Sequence, residues 1–93
     1  MTNYIKIPTD LIEDAKLTAK QKFLMIYLYL RAGNKNYCFP SVGKITKDTR
    51  LSRQTVVNTI KDLEEAGYIK KTRRKNSDGG NSSNLYTITY SAY

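Results

Sequence analysis

Histidine and tryptophan are missing from this 93-residue chain, cysteine occurs once and proline twice. Without histidine there is no imidazole for a nucleophile–base triad, a proton shuttle or a His-ligated metal. The single thiol, Cys38, closes no internal disulfide and forms no thiolate cluster for zinc. Its expected role is that of a small buried apolar side chain. A small domain without disulfides fits a reducing compartment. Long hydrophobic runs are lacking too: the longest, residues 23–30, is too short to span a bilayer. Residues 1–10 mix polar and apolar side chains, unlike a secretory leader. Secreted and membrane classes are set aside, and a cytoplasmic location is expected. No Gly-rich phosphate loop is visible, and Asp10, Glu13 and Asp14 read as a surface turn rather than as paired acids in a cleft. The expectation is a protein that is not an enzyme, with no cofactor and no metal.

What is present is positive charge. Sixteen Lys and Arg stand against eight Asp and Glu, a net charge of +8. Such an excess points to a polyanionic partner: nucleic acid, anionic lipid or an acidic protein. It is uneven, at net +1 over residues 1–30, +3 over 31–67 and +4 over 68–93. Lys70, Lys71, Arg73, Arg74 and Lys75 crowd together beside a Gly/Ser/Asn stretch, a pattern suited to a phosphate-binding arm. The length allows one domain, and the 40% hydrophobic content is enough for a small core.

Hydrophobic spacing and cap residues divide the chain. Residues 4–7 alternate as a short strand stopped by Pro8, with Thr9 or Asp10 capping one helical turn over 11–14. Thr18 with Gln21 forms a capping box ahead of a helix over 19–32, which stops at Gly33-Asn34. Residues 23–30 are apolar all round, so this helix should be buried on more than one side. Its second side should meet Ile5, Ile7, Leu11 and Ile12, or a second subunit. Residues 37–39 read as a small strand. Ser41 then caps a helix carrying Val42, Ile45 and Thr49 on one side, ending near Arg50-Leu51. Ser52 caps the next helix, over 53–66, with Val56, Ile60 and Leu63 as its core stripe and Gly67 just past its end. Two helices separated by Arg50-Leu51-Ser52 make a helix-turn-helix. Residues 68–74 and 85–90 read as two strands of a hairpin around the polar stretch 76–84, and the strand at 37–39 can pair with it as a third.

The fold class is therefore mainly α with a small antiparallel β-hairpin: a winged helix-turn-helix, with a three-helix core plus a wing. Residues 1–16 form an N-terminal arm and residues 17–93 the winged domain. At this point the chain also resembles a known family. The pieces are Ile5-Lys6-Ile7-Pro8, Leu17-Thr18-Ala19-Lys20-Gln21-Lys22, Cys38-Phe39-Pro40-Ser41, Leu51-Ser52-Arg53-Gln54-Thr55-Val56, Leu63-Glu64-Glu65-Ala66-Gly67-Tyr68-Ile69 and Ser83-Asn84-Leu85-Tyr86-Thr87. In this order they resemble the winged-helix domain of phage and plasmid replication proteins, similar to the N-terminal domain of DnaD-like primosomal loaders. The resemblance implies replication initiation on a mobile element in a bacterial cell or phage-infected host, with a replication or helicase-loading protein as a further partner. Members often carry another domain beyond the winged helix, so either an excised domain or a small standalone regulator is expected.

Stepping round residues 53–66 from an inward Val56 leaves Arg53, Gln54, Thr55, Asn58 and Lys61 toward solvent. Arg pairs with guanine, Gln and Asn with adenine, and Lys and Thr with phosphate or a base edge. In winged-helix proteins that this chain resembles, the matching positions face DNA. Ser41 and Ser52 open helices whose first-turn amides suit phosphate, and Lys44 and Lys47 flank them on one side. On the wing, Arg73, Arg74 and Lys75 lie nearest the tip and suit a backbone or a narrow minor groove. Glu64 and Glu65 limit docking to the N-terminal half of the helix. Tyr27, Tyr29, Tyr68, Tyr86 and Tyr90 fall at packing positions, whereas Tyr37 is less constrained.

The partner expected first is double-stranded DNA, bound by a homodimer paired through the N-terminal arm or the helix over 19–32. Two other readings share these residues or this fold. One is a transcriptional repressor; the other is a protein-interaction winged helix, in which the charge is incidental.

Overall fold

Thr18 starts the central helix. Its Oγ1 accepts the Gln21 N–H at 3.2 Å, and the Gln21 Oε1 accepts the Thr18 N–H at 2.9 Å, which completes the expected box. The computed structural model describes residues 5–73 and 84–90. Seven elements follow in order: α1 (Thr9–Glu13), α2 (Ala19–Ala32), β1 (Tyr37–Cys38), α3 (Val42–Thr49), α4 (Arg53–Glu65), β2 (Ile69–Thr72) and β3 (Leu85–Ile88). The strands form one antiparallel sheet in the order β1-β3-β2. Ile69 stands opposite Ile88, Lys71 opposite Tyr86, and Cys38 opposite Tyr86 on the other side. This is a winged helix: mostly helical, with a small three-stranded sheet beside a helix-turn-helix.

Helix spacing explains the core. Leu24, Met25 and Leu28 of α2, Ile45 of α3, and Val56, Ile60 and Leu63 of α4 turn inward and meet Tyr86, Ile69 and Ile88 of the sheet. Leu11 and Leu17 join the same cluster, so the segment before α2 packs onto the domain. Lys22 Nζ donates to the Ile12 carbonyl at 2.6 Å, and Tyr90 Oη donates to Asp14 Oδ2 at 3.2 Å. Those bonds tie α1 to α2 and to the residues after β3.

Four expectations need correction. The described part of the N-terminal alternation, residues 5–7, is not a strand. Alternation supplies two faces, but a strand also needs a neighbour to complete its ladder. One-turn α1 starts at Thr9 with Pro8 as N-cap and no side-chain cap, so neither Thr9 nor Asp10 plays that part. α2 is not buried all round: Phe23 and Leu30 are 45% and 55% exposed, because a core this small covers one side of a helix. Ile12, expected against that side, is itself exposed. The strands are also shorter than expected. β1 stops at Cys38 before Pro40, β2 at Thr72 and β3 at Ile88.

Candidate nucleic-acid interface

The turn between α3 and α4 is three residues long, Arg50-Leu51-Ser52. Arg50 takes the left-handed conformation, φ 65°, and its N–H closes α3 on the Thr46 carbonyl at 2.9 Å. This geometry favours glycine, and an arginine there is strained by roughly 1–2 kcal/mol. It leaves a guanidinium exposed at the apex of the turn. Half-buried Leu51 packs against the core.

Both helices of the motif begin on serine caps. Ser41 Oγ accepts the Lys44 N–H at 3.0 Å, and Ser52 Oγ accepts the Thr55 N–H at 3.1 Å. The Ser52 hydroxyl also donates to Thr55 Oγ1 at 2.9 Å. The two serines and Thr55 therefore shape the first turns, and Thr55 is half-buried rather than fully presented. The N–H groups of those turns not taken by the caps carry the positive end of each helix.

Along α4, Arg53, Gln54, Asn58 and Lys61 are exposed, as their positions on the helix required. Gln54 Nε2 donates to Asn58 Oδ1 at 2.9 Å, which holds the two amides side by side. Val57 lies on the same strip, about 60° round from Gln54 at 100° per residue, and is 43% exposed. Sequence reasoning passed over Val57 because apolar residues are credited to the core. It passed over Arg50 because a helix-ending residue is read for its backbone. The wheel position of Val57 and the positive charge of Arg50 were the available signals.

Lys44 and Lys47 are exposed on α3, but they differ. Lys44 Nζ lies 3.3 Å from Asp48 Oδ1, so part of its charge is matched internally. Asp48 also accepts the Tyr27 hydroxyl at 2.7 Å. That bond, more than Lys44, holds the Asp48 carboxyl below the usual range. On the wing, Lys71 Nζ stands 4.0 Å from Glu64 Oε1, an exposed ion pair between β2 and the end of α4. Arg73 is exposed one residue beyond β2. Arg74 and Lys75 lie outside the described residues.

The structure therefore brings Arg50, Arg53, Gln54, Val57, Asn58 and Lys61 onto the turn and outer face of α4, with Lys47 on the preceding helix. A Helix-turn-helix domain family model matches residues 15–69, more than half of the chain. The chain belongs to that helix-turn-helix family. The match covers α2, α3 and α4 and reaches the start of β2, and it points to DNA as the partner of this helix-turn-helix protein. Comparison with curated proteins gave no match, and comparison with solved structures gave none. Among the described residues, no cluster of His, Cys, Asp and Glu suits a metal ion. No helix among them is long and apolar enough to cross a membrane.

Proposed function

We propose that this helix-turn-helix protein binds specific sites in double-stranded DNA, with α4 in the major groove and the basic wing on the backbone or minor groove. The carrying observation is the exposed strip of Gln54, Val57, Asn58 and Lys61 on the second helix of the motif. Gln and Asn amides match adenine edges, and an exposed valine matches the thymine methyl. Arg50, Arg53 and Lys47 supply phosphate contacts around that strip, and Arg73 extends them along the wing. The role is DNA recognition without catalysis.

The biological role we favour is replication initiation on a phage or plasmid, inside a bacterial cell, with a replication or helicase-loading protein as a later partner. Its support is the ordered resemblance from Ile5 to Thr87. Repression of transcription would use the same DNA face. Footprinting on fragments of the protein's own replicon separates the two: iterated sites at an origin support initiation, and a single operator over a promoter supports repression. Absence of any protected site ends the DNA proposal. Charge reversal of Arg53, Arg73 and Arg74 should abolish function, and a protein-interaction module would keep it.

Pairing of two copies is part of this proposal, because two-fold pairing doubles the contact with DNA. The outer side of α2 supports this surface over the N-terminal arm. Phe23, Ile26 and Leu30 line a groove of about 410 Å³ with α3, whereas Leu11 of the arm is fully buried in its own core. Sedimentation should give a dimer that the double variant Phe23→Ser, Leu30→Ser converts to monomer. A monomeric wild type at working concentration removes the pairing.

A further inference from the structure

A second concave site lies between the end of α2 and β1, and the duplex reading makes no use of it. Its volume is about 310 Å³, and its walls include Arg31, Lys35, Tyr37, Cys38, Phe39 and Pro40. That is the lower end of the range for ligand pockets, room for one small group rather than an extended chain. Tyr37 is 37% exposed and Phe39 51% exposed. Lys35 Nζ sits 5.4 Å from the centroid of the Tyr37 ring. Buried Cys38 belongs to the same wall, its thiol donating to the Leu28 carbonyl at 3.7 Å.

The frame around these side chains is built. Gly33, at φ +63°, turns the chain out of α2, and its N–H donates to the Tyr29 carbonyl at 3.0 Å. The Lys35 N–H donates to the Ala32 carbonyl at 3.0 Å, and the Asn36 carbonyl accepts the Ile88 N–H at 2.7 Å. Tyr37 stands opposite Thr87 in the ladder. The loop carrying Lys35 is thus anchored to α2 at one end and to β3 at the other.

Two cations and two partly exposed rings, with no acid among the described residues that line the pocket, suit a ligand that is both anionic and aromatic. A plain phosphate would leave the rings unused, and a neutral hydrocarbon would strip water from Arg31 and Lys35 without return. We propose that this pocket holds one unpaired nucleotide, its phosphate on Arg31 and Lys35 and its base against Tyr37 and Phe39. A duplex keeps its bases stacked and paired, so the nucleotide comes from a single strand or is free in solution. The site uses none of the side chains on the outer face of α4, so it stands or falls separately from the duplex reading.

The test is an amide-shift titration of the full chain with a short oligo-dT, with dTMP and with inorganic phosphate. Amides of residues 31–39 should move with either nucleotide and stay still with phosphate. Tyr37→Ala should weaken nucleotide binding about ten-fold, in line with the loss of one stacked base. Tyr37→Phe should restore it, Lys35→Ala should weaken it as well, and Gln54→Ala should leave it unchanged. Both variants of Tyr37 and that of Lys35 are at exposed positions, so the rest of the spectrum should superimpose. Tighter binding of the oligonucleotide assigns a single strand, and equal binding of dTMP assigns the free nucleotide. An equal response to inorganic phosphate, shifts confined to α4, or no shift at all overturns the proposal.

Discussion

Tyr27 Oη donates to Asp48 Oδ2 at 2.7 Å and so pins α2 to α3. The other Asp48 oxygen lies 3.3 Å from Lys44 Nζ, one turn back on α3. The apolar core draws the helices together without direction. This polar tie at its edge helps fix how the helix-turn-helix sits on α2, and through that where α4 points. Burial first, and the Asp48 bond second, push the Tyr27 phenol well above its ordinary range.

The tie has a pH signature on both sides. Asp48 has a depressed folded pKa, so its contribution is present above the ordinary carboxylate value and is lost as pH falls through the depressed one. Tyr27 has a raised folded pKa, so its contribution is present below the ordinary phenol value and is lost as pH rises toward the raised one. Tyr27→Phe should lower Tm by about 4–8 °C at neutral pH, the equivalent of about 1 kcal/mol in a domain this small. It should also flatten both limbs of a Tm-against-pH curve, and Asp48→Asn should flatten the acid limb. An acid limb unchanged in Asp48→Asn refutes the assignment.

Arg50 sets stability against binding. Arg50→Gly removes the left-handed strain, partly offset by the greater entropy that glycine loses, and should stabilise the fold by up to about 1 kcal/mol. The same change deletes a cation at the turn and should weaken DNA binding. Denaturant unfolding and gel-shift titration on one preparation would show the two moving in opposite directions. A loss of stability would mean that the arginine makes a compensating contact.

Variants on α4 should separate base reading from phosphate holding. Gln54→Ala and Asn58→Ala should each cost about 1–3 kcal/mol on the preferred site and relax its sequence. Val57→Ser should reduce preference at one A·T pair. Lys47→Ala and Arg73→Ala should weaken every sequence alike and lower the salt slope by about 1 each. Competition with randomised duplexes distinguishes these patterns, and equal effects from both groups would remove the major-groove assignment.

Charge should dominate affinity. With about six cations on phosphates, log K against log salt should fall with a slope near −5. Fluorescence anisotropy between low and physiological salt measures it. A flat line would point to a partner other than nucleic acid.

Much of this architecture was legible residue by residue. Thr18 with Gln21, Ser41 and Ser52 announced three helix starts, because a cap is a bond between residues three apart in the chain. Val56, Ile60 and Leu63 marked the buried face of α4, and the same wheel exposed Gln54, Asn58 and Lys61. The outer side of α2 was not legible. Phe23 and Leu30 have the same chemistry as buried Leu24 and Leu28, and only the arrangement of the other elements decides which side is covered. The Tyr27–Asp48 tie was hidden for a related reason: its members come from different helices, 21 residues apart.

Local order in this protein was set by the sequence alone: where helices begin, which stripe of each is apolar, and where positive charge collects. Those properties depend on neighbours within one or two helical turns. The tertiary structure decided the exposed side of α2, the setting of α4 against the wing, and the bond from Tyr27 to Asp48. Those depend on the packing of residues far apart in the chain, which spacing along the chain does not encode.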